Sequence, residues 1–168
     1  MKFRIINLSD GSQKDCSFHD LSTSLSSNCI ILRVKEDGLE SIGLVTHHTL
    51  TYFAVEFADY ALQNYTKKIT PEVQTCIDLA RKWLEDQSSV SAEELKAAAN
   101  DIYNRHKCSS NTAGATYTIQ CARSAIHATT YADVAADAAS NEAHIAGKNK
   151  LDEQNRQTTF ILNFFGVE

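Results

Sequence analysis

Four polar side chains that could bind a partner recur every seven residues in the C-terminal half of the chain. They are Arg123, Thr130, Asp137 and His144, and Asp133 lies beside them. Residues one heptad apart line one edge of an α-helix, so a helix here would present these groups together. Two interpretations stay open: a polar edge that keeps the helix soluble, and a contact surface whose carboxylates meet a basic partner.

The charge balance indicates which partners to expect. The net charge is -5, from 21 acidic and 16 basic residues. This balance disfavours attraction to nucleic-acid phosphates or anionic lipid, and it favours a basic protein. Asp133, Asp137 and Glu142 lie in residues 128–147, which contain no Lys or Arg. We therefore expect no nucleic acid and no membrane among the partners.

Metal ligands are present, but their spacing predicts no metal site. His47 and His48 are adjacent and would point about 100° apart on a helix, so they do not easily face one ion. A tetrahedral site is conceivable from four other residues, although nothing in their spacing requires it: His106, Cys108, Cys121 and His127. We expect neither a metal nor another cofactor.

Catalytic motifs are also absent from the sequence. The six glycines never cluster into a phosphate-binding loop, and no G-x-S-x-G, H-E-x-x-H or paired C-x-x-C motif occurs. Glu142 and His144 are one residue too close for the Glu-x-x-His pair of a di-iron bundle. The sequence therefore predicts a protein that is not an enzyme.

Composition predicts one globular domain in the cytoplasm. The chain has 168 residues, 43% hydrophobic and 22% charged, which is ordinary for a folded domain. No apolar run is long enough to span a bilayer, and the polar residues after "MKFRIINL" come too early for a signal-peptide core. The five cysteines show no paired spacing, so we expect reduced thiols.

The elements that would position these side chains are predicted to be mainly α-helical. "KFRIINL" and "CIILRVK" indicate two short strands, so residues 1–44 are predicted to form a β-rich, hairpin-like appendage. Residues 45–168 are predicted to form a bundle of about five helices. Thr70 with Pro71 indicates a helix start, and Ser91 with Glu94 forms a capping box at the next one.

The fourth helix is predicted to lie at the centre of this bundle because its inner face carries small residues. Small residues at three- and four-residue steps allow neighbouring helices to approach closely. The seam consists of Ala122, Ala125, Thr129, Ala132, Ala136, Ala139, Ala143 and Ala146. Gly147 would end this helix, and a fifth helix rich in phenylalanine could dock against it.

Three stretches between about Thr49 and Gly147 resemble a known family. They are "FAVEFADYAL", then "CIDLARKWLED" with the capped "SAEELKAAANDIY", and last "CARSAIHATTYADVAADAA". Their order and spacing are similar to those of the alanine-rich, all-helical immunity proteins of bacterial polymorphic toxin systems. The resemblance implies that Arg123 and His127 match an Arg and a His of the family's central helix. Asp133 and Asp137 stand where related members often have histidines, so a function of those histidines would be altered or lost here.

The leading interpretation is a cytosolic immunity protein that binds and neutralises a cognate protein toxin without catalysis. Its partner-binding residues would be Arg123, His127, Thr130, Asp133, Asp137 and His144. One alternative is a structural module that forms homo-oligomers through the small-residue seam. Another is a metal- or ligand-binding bundle that uses His127, Arg123 and nearby carboxylates.

Overall fold

The computed structural model describes residues 1–65, 69–105 and 128–167 and the single positions 116 and 123. Within these residues the chain forms four strands and five helices. The strands are β1 (Lys2–Asn7), β2 (Gln13–Ser17), β3 (Cys29–Lys35) and β4 (Gly38–Val45), and the helices are α1 (His47–Asn64), α2 (Pro71–Glu85), α3 (Ala92–Arg105), α4 (Ala128–Ile145) and α5 (Lys150–Phe164). The fold is therefore α+β. The prediction of a mainly α bundle with a short β-hairpin is wrong, because β2 and β4 complete a full sheet.

The sheet is antiparallel throughout, with the strand order β2-β1-β3-β4. The two strands predicted from the sequence are β1 and β3, and they pair directly, with Ile5 opposite Ile31. The β1–β2 turn contains Gly11 at φ +70°, and the β3–β4 turn ends at Gly38 at φ +144°, both in the left-handed region that favours glycine.

One face of the sheet packs against the helices and forms one side of the main core. Side chains alternate along each strand, so every second residue points toward the helices. The buried inner-face residues are Phe3, Ile5, Cys16, Cys29, Ile31 and Val45. They belong to one apolar cluster with residues of α1, α4 and α5. The strands predicted as an appendage thus share a core with the helices.

Helix α1 contributes to two separate cores. Leu50, Phe53 and Phe57 belong to the cluster above the sheet, whereas Val55 and Leu62 belong to a second cluster with α2 and α3. A helix that is apolar on both sides is typically buried on both sides. Helix α1 therefore lies between the two cores, whereas the sequence predicted the fourth helix at the centre.

The starts of α2 and α3 test two capping predictions. At α3 the capping box is confirmed, because Glu94 N donates to Ser91 Oγ at 3.2 Å and Ser91 N donates to Glu94 Oε2 at 2.8 Å. At α2 the predicted helix start at Thr70 and Pro71 is confirmed, although the Thr70 side chain does not cap it. Thr70 occupies the cap position, but its hydroxyl makes no capping bond and is buried without a hydrogen-bond partner among the residues described.

The small-residue seam of α4 is buried at residues 132–143. Ala132, Ala136, Ala139 and Ala143 are at most 5% exposed, whereas Ala146 follows the helix and is exposed. The helix packs against α1 and α5, and three alanines of the seam reach the cluster above the sheet. Close packing at residues 132–143 is therefore confirmed, while Ala122 and Ala125 lie outside the described residues.

Helix α5 closes the core with aromatic side chains. Asn149 caps its start by accepting a bond from Leu151 N. Near its end, the rings of Phe164 and Phe165 contact Phe53 of α1 with centroid separations of 5.2 and 6.3 Å. The Phe165 ring also lies so close to Gly43 of β4 that a methyl group there would overlap it. Glycine at this position lets the helix end approach the sheet.

Candidate partner-binding site

The six predicted partner-binding residues differ in how the structure places them. Asp133 is half-buried on α4, and Asp137 and His144 are exposed on the same helix. Thr130 lies in the first turn of α4. Arg123 is helical and half-buried, and His127 lies outside the described residues. Asp133 and Asp137 line one cavity together, so these two carboxylates are the predicted residues that the structure brings to a common site.

Asp137 is already engaged within the chain. Its Oδ1 accepts a bond from Lys150 Nζ of α5 at 2.8 Å, and its Oδ2 accepts one from Asn141 at 3.0 Å. Lys150 also donates to Asn141 Oδ1 at 2.9 Å. An exposed ion pair of this kind stabilises a protein by at most about 1 kcal/mol. The pair fixes the α4–α5 corner and neutralises part of the acidic edge.

Asp133 lies where two adjoining cavities meet. The first, of 270 Å³, is enclosed by the β1–β2 hairpin, residues 23–26 and α4. The second, of 320 Å³, extends toward α5 and is lined by Thr23, Asp133, Val134, Asp137 and Gln154. Both cavities include Thr23 and Asp133. We call this pair of cavities the Asp133 cleft.

The lining of the Asp133 cleft is largely polar. Beside the Asp133 carboxylate it presents the hydroxyl or amide groups of Asn7, Ser12, Gln13, Thr23, Ser24, Ser26 and Gln154. Lys14 is the cation in the lining of these two cavities. Such a lining is suited to a ligand that carries several hydrogen-bond donors.

The Asp133 carboxylate is desolvated without full compensation. Its Oδ1 is buried and has no hydrogen-bond partner among the described residues. Burial raises the pKa of Asp133 above its usual value, the Val134 amide and Lys14 lower it, and Asp137 raises it further. The net effect of these contributions is that the pKa of Asp133 is raised. A buried polar atom without a partner needs an explanation, and an incoming cation would provide one.

A second polar cluster joins α1 to α5. It was not predicted from the sequence. Glu153 is 2% exposed. Its carboxylate accepts bonds from Tyr65 Oη at 2.6 Å, from Arg156 Nε and Nη2 at 2.9 and 2.7 Å, and from Gln157 at 3.1 Å. The Arg156 guanidinium also lies 3.6 Å from the centre of the Tyr60 ring. Glu153, Gln157 and Ile161 are spaced four residues apart and therefore lie on one face of α5. Because that face includes the apolar Ile161, the spacing indicates that the two polar side chains are buried with it.

The charged and polar groups of this second cluster are paired with one another. Both Glu153 oxygens are occupied, and its charge is balanced by Arg156. Burial and the hydrogen bond to Glu153 raise the pKa of Tyr65, so the phenol keeps its proton well into the alkaline range. A cavity of 480 Å³ lies beside the cluster and is lined by Tyr60, Asn64, Lys148 and Asp152 among others. The contacts tie the end of α1 to the start of α5.

The described residues contain no group of three or more His, Cys, Asp or Glu side chains that could hold a metal ion. His47 and His48 instead contact Trp83, and the His48 ring is hydrogen-bonded to the Leu84 carbonyl at 2.9 Å. Three cysteines, Cys16, Cys29 and Cys76, are free and buried. The conceivable site at His106, Cys108, Cys121 and His127 lies outside the described residues.

Comparison with known proteins gives no relative: no family model, no curated protein and no solved structure matches this chain. None of the helices in the described part of the chain is both long and apolar enough to cross a membrane.

Proposed function

We propose that this chain is a non-catalytic binding protein of the immunity type, which neutralises a basic protein toxin in the cytoplasm by occluding it. The observation that supports the proposal most is the buried Asp133 oxygen, which has no hydrogen-bond partner among the described residues and lies in an open, polar cleft. The family resemblance of residues 49–147 and the net charge of -5 agree with a basic protein partner.

The chemistry of the cleft favours an arginine or lysine side chain of the toxin as the inserted group. A cation beside Asp133 would complete the hydrogen bonding of Oδ1 and restore the charged form that burial disfavours. Arginine fits better than lysine, because its five N–H donors can use the carboxylate and the neighbouring hydroxyl and amide oxygens together.

The other residues of the α4 edge have a supporting role in this proposal. Asp137 and His144 are exposed, so they would lie at the rim of the contact, where charge accelerates association and is screened by salt. Because Asp137 is paired with Lys150, its contribution to the binding free energy should be smaller than that of Asp133. Arg123 and Thr130 stay predicted contacts of the same helix edge, and His127, also predicted, lies outside the described residues.

Two alternatives receive less support from the geometry. The small-residue seam at residues 132–143 is packed inside the chain, so it offers no free surface for self-association. A metal-dependent bundle would need a ligand group, and the described ranges provide none.

The decisive experiment uses the gene adjacent to the one that encodes this chain. That gene is expressed in bacteria with and without this protein, and cell survival is scored. We expect the neighbour to be toxic alone and harmless in the presence of this chain. A neighbour that is harmless on its own would contradict the immunity proposal.

The role of Asp133 is then tested by calorimetry with the purified toxin. Removing one member of a desolvated charge pair costs about 2 kcal/mol or more, so Asp133→Asn should weaken binding by about 30-fold or more. Asp137→Asn is the matched control on the same helix, and it should change affinity only slightly, mainly at low salt. Wild-type affinity of Asp133→Asn would remove the cleft from the interface.

A further inference from the structure

The outer face of the sheet carries exposed apolar side chains on its last two strands. Val34, Leu39 and Leu44 are 37%, 50% and 47% exposed. In the ladder Val34 lies opposite Leu39, and the half-buried Ile30 lies opposite Leu44. The solvated face of an antiparallel sheet normally carries polar residues at such positions. Contiguous apolar side chains on that face indicate a contact surface.

These side chains border a free strand edge. Strand β4 is eight residues long and is an outer strand of the sheet, and within the described part of the chain it pairs only with β3. An outer strand exposes unpaired backbone N–H and C=O groups along its free side, and natural proteins usually shield such an edge. Here the edge lies beside leucines instead of lysine or proline.

A β-bulge gives β4 a self-complementary arrangement. Ile31 pairs with Gly43, but the next residue, Leu32, pairs with Ser41, so β4 contains one extra residue. The bulge shifts the alternation of side chains by one position. Leu39 and Leu44 are five residues apart and would point to opposite faces of a regular strand, yet both lie on the outer face.

We propose that β4 pairs in antiparallel orientation with β4 of a second copy of this chain, which joins two sheets into one about a two-fold axis. In the register that aligns residues 38–45 with themselves, Leu39 of one copy lies opposite Leu44 of the other, and this contact occurs twice. On either side of the bulge at residues 41–42, this register places outward residues opposite outward residues and inward residues opposite inward residues. A two-fold contact is closed, so the assembly stops at a dimer.

The charges along β4 are compatible with this pairing. Glu40 is bound within its own chain by Arg33 and by Lys35, whose Nζ lies 3.0 Å from Glu40 Oε1. In the proposed register Glu40 faces Gly43 of the second copy, so no like charges are opposed. The Asp133 cleft borders the β1–β2 hairpin at the other edge of the sheet, and the dimer leaves it open.

The test measures mass by sedimentation velocity over a range of protein concentrations. Wild type should approach twice the 18.6 kDa chain mass as concentration rises. Leu39→Glu and Leu44→Lys should each shift the protein to monomer, because each buries a charge opposite a leucine. Leu151→Glu is the control, since Leu151 is 41% exposed on α5, away from the sheet, and this variant should dimerise like wild type.

The register is tested by combining the two changes. In the double variant Leu39→Glu/Leu44→Lys each acid would face a lysine of the second copy, so dimerisation should return and weaken with salt. The two positions are too far apart along one strand to pair within a chain. Circular dichroism of every variant checks that the fold is kept.

Three results would overturn the proposal. Wild type that stays monomeric up to the millimolar range would show that β4 does not pair with itself. Single variants that dimerise as well as wild type would place the contact elsewhere, and a double variant that stays monomeric would exclude the proposed register. None of these results bears on toxin binding at Asp133.

Discussion

Replacing Asp133 by asparagine should make the isolated protein more stable at neutral pH, although the same change should weaken toxin binding. Asp133→Asn keeps an oxygen without a partner but removes its charge, and a buried charged group costs more than the roughly 1–3 kcal/mol of a neutral one. Asp133 is half-buried, and solvent screens part of this penalty, so we use the lower end. The asparagine side chain is isosteric with the native aspartate and uncharged, and the expected gain is about 1 kcal/mol, or about 3 °C in the unfolding temperature.

The pH dependence provides a sharper test of the same reasoning. Burial holds the pKa of Asp133 in the folded protein above the ordinary value of 3.8, which applies to the unfolded chain. The penalty is therefore fully present above the folded pKa and disappears as the pH falls below 3.8, where both states are protonated. The stability advantage of Asp133→Asn should vanish over that acidic interval.

The measurement is urea unfolding followed by circular dichroism, from neutral pH down to about pH 3. Asp137→Asn is again the control, because Asp137 is exposed and paired, and its loss should change stability by less than about 1 kcal/mol. A variant at Asp133 that is less stable than wild type at neutral pH would refute the reasoning. So would an advantage that persists at low pH.

Two further predictions concern the helix ends that close the core. Gly43→Ala places a methyl group against the Phe165 ring, so it should lower the free energy of unfolding by about 1–3 kcal/mol. Adding Phe165→Leu to the same chain should recover part of the loss. An unchanged urea midpoint of Gly43→Ala would contradict the close approach of Gly43 and Phe165. Because its folded pKa is raised, Tyr65 should contribute stability below its ordinary pKa of 10.0 and lose it as the pH rises above that value. Tyr65→Phe should be less stable than wild type at neutral pH and show a weaker alkaline loss, and equal alkaline curves would argue against the bond to Glu153.

Part of the fold follows from local sequence signals. Strands β1 and β3 are rich in β-branched residues, and the Ser91–Glu94 capping box is a purely local motif, so both were predictable. Strand β2 reads "QKDCS" and is mostly exposed, and β4 reads "GLESIGLV" with two glycines. Their pairing depends on neighbouring strands and on the Phe165 contact, which are tertiary effects.

The candidate site was likewise predictable only where it depends on local sequence. The heptad spacing placed Asp133 on the polar edge of a helix, and that helix exists. Its burial could not be predicted, because it results from residues 23–26 and the β1–β2 hairpin folding over α4. The Glu153 cluster was missed because its partner Tyr65 is 88 residues away in the chain, although the position of Glu153 on the buried face of α5 was visible.

The contacts between the sheet and α5 have a consequence for biosynthesis. Thr158 Oγ1 donates to the Phe18 carbonyl at 2.7 Å, and His19 is hydrogen-bonded to Asn155, so the segment after β2 gains these contacts only once α5 has been synthesised, more than 130 residues later. Pairings between such distant residues slow folding and leave apolar strands uncovered during synthesis. A chain whose synthesis stops before α5 would lack these contacts, and its exposed apolar strands would be substrates for chaperones and proteases.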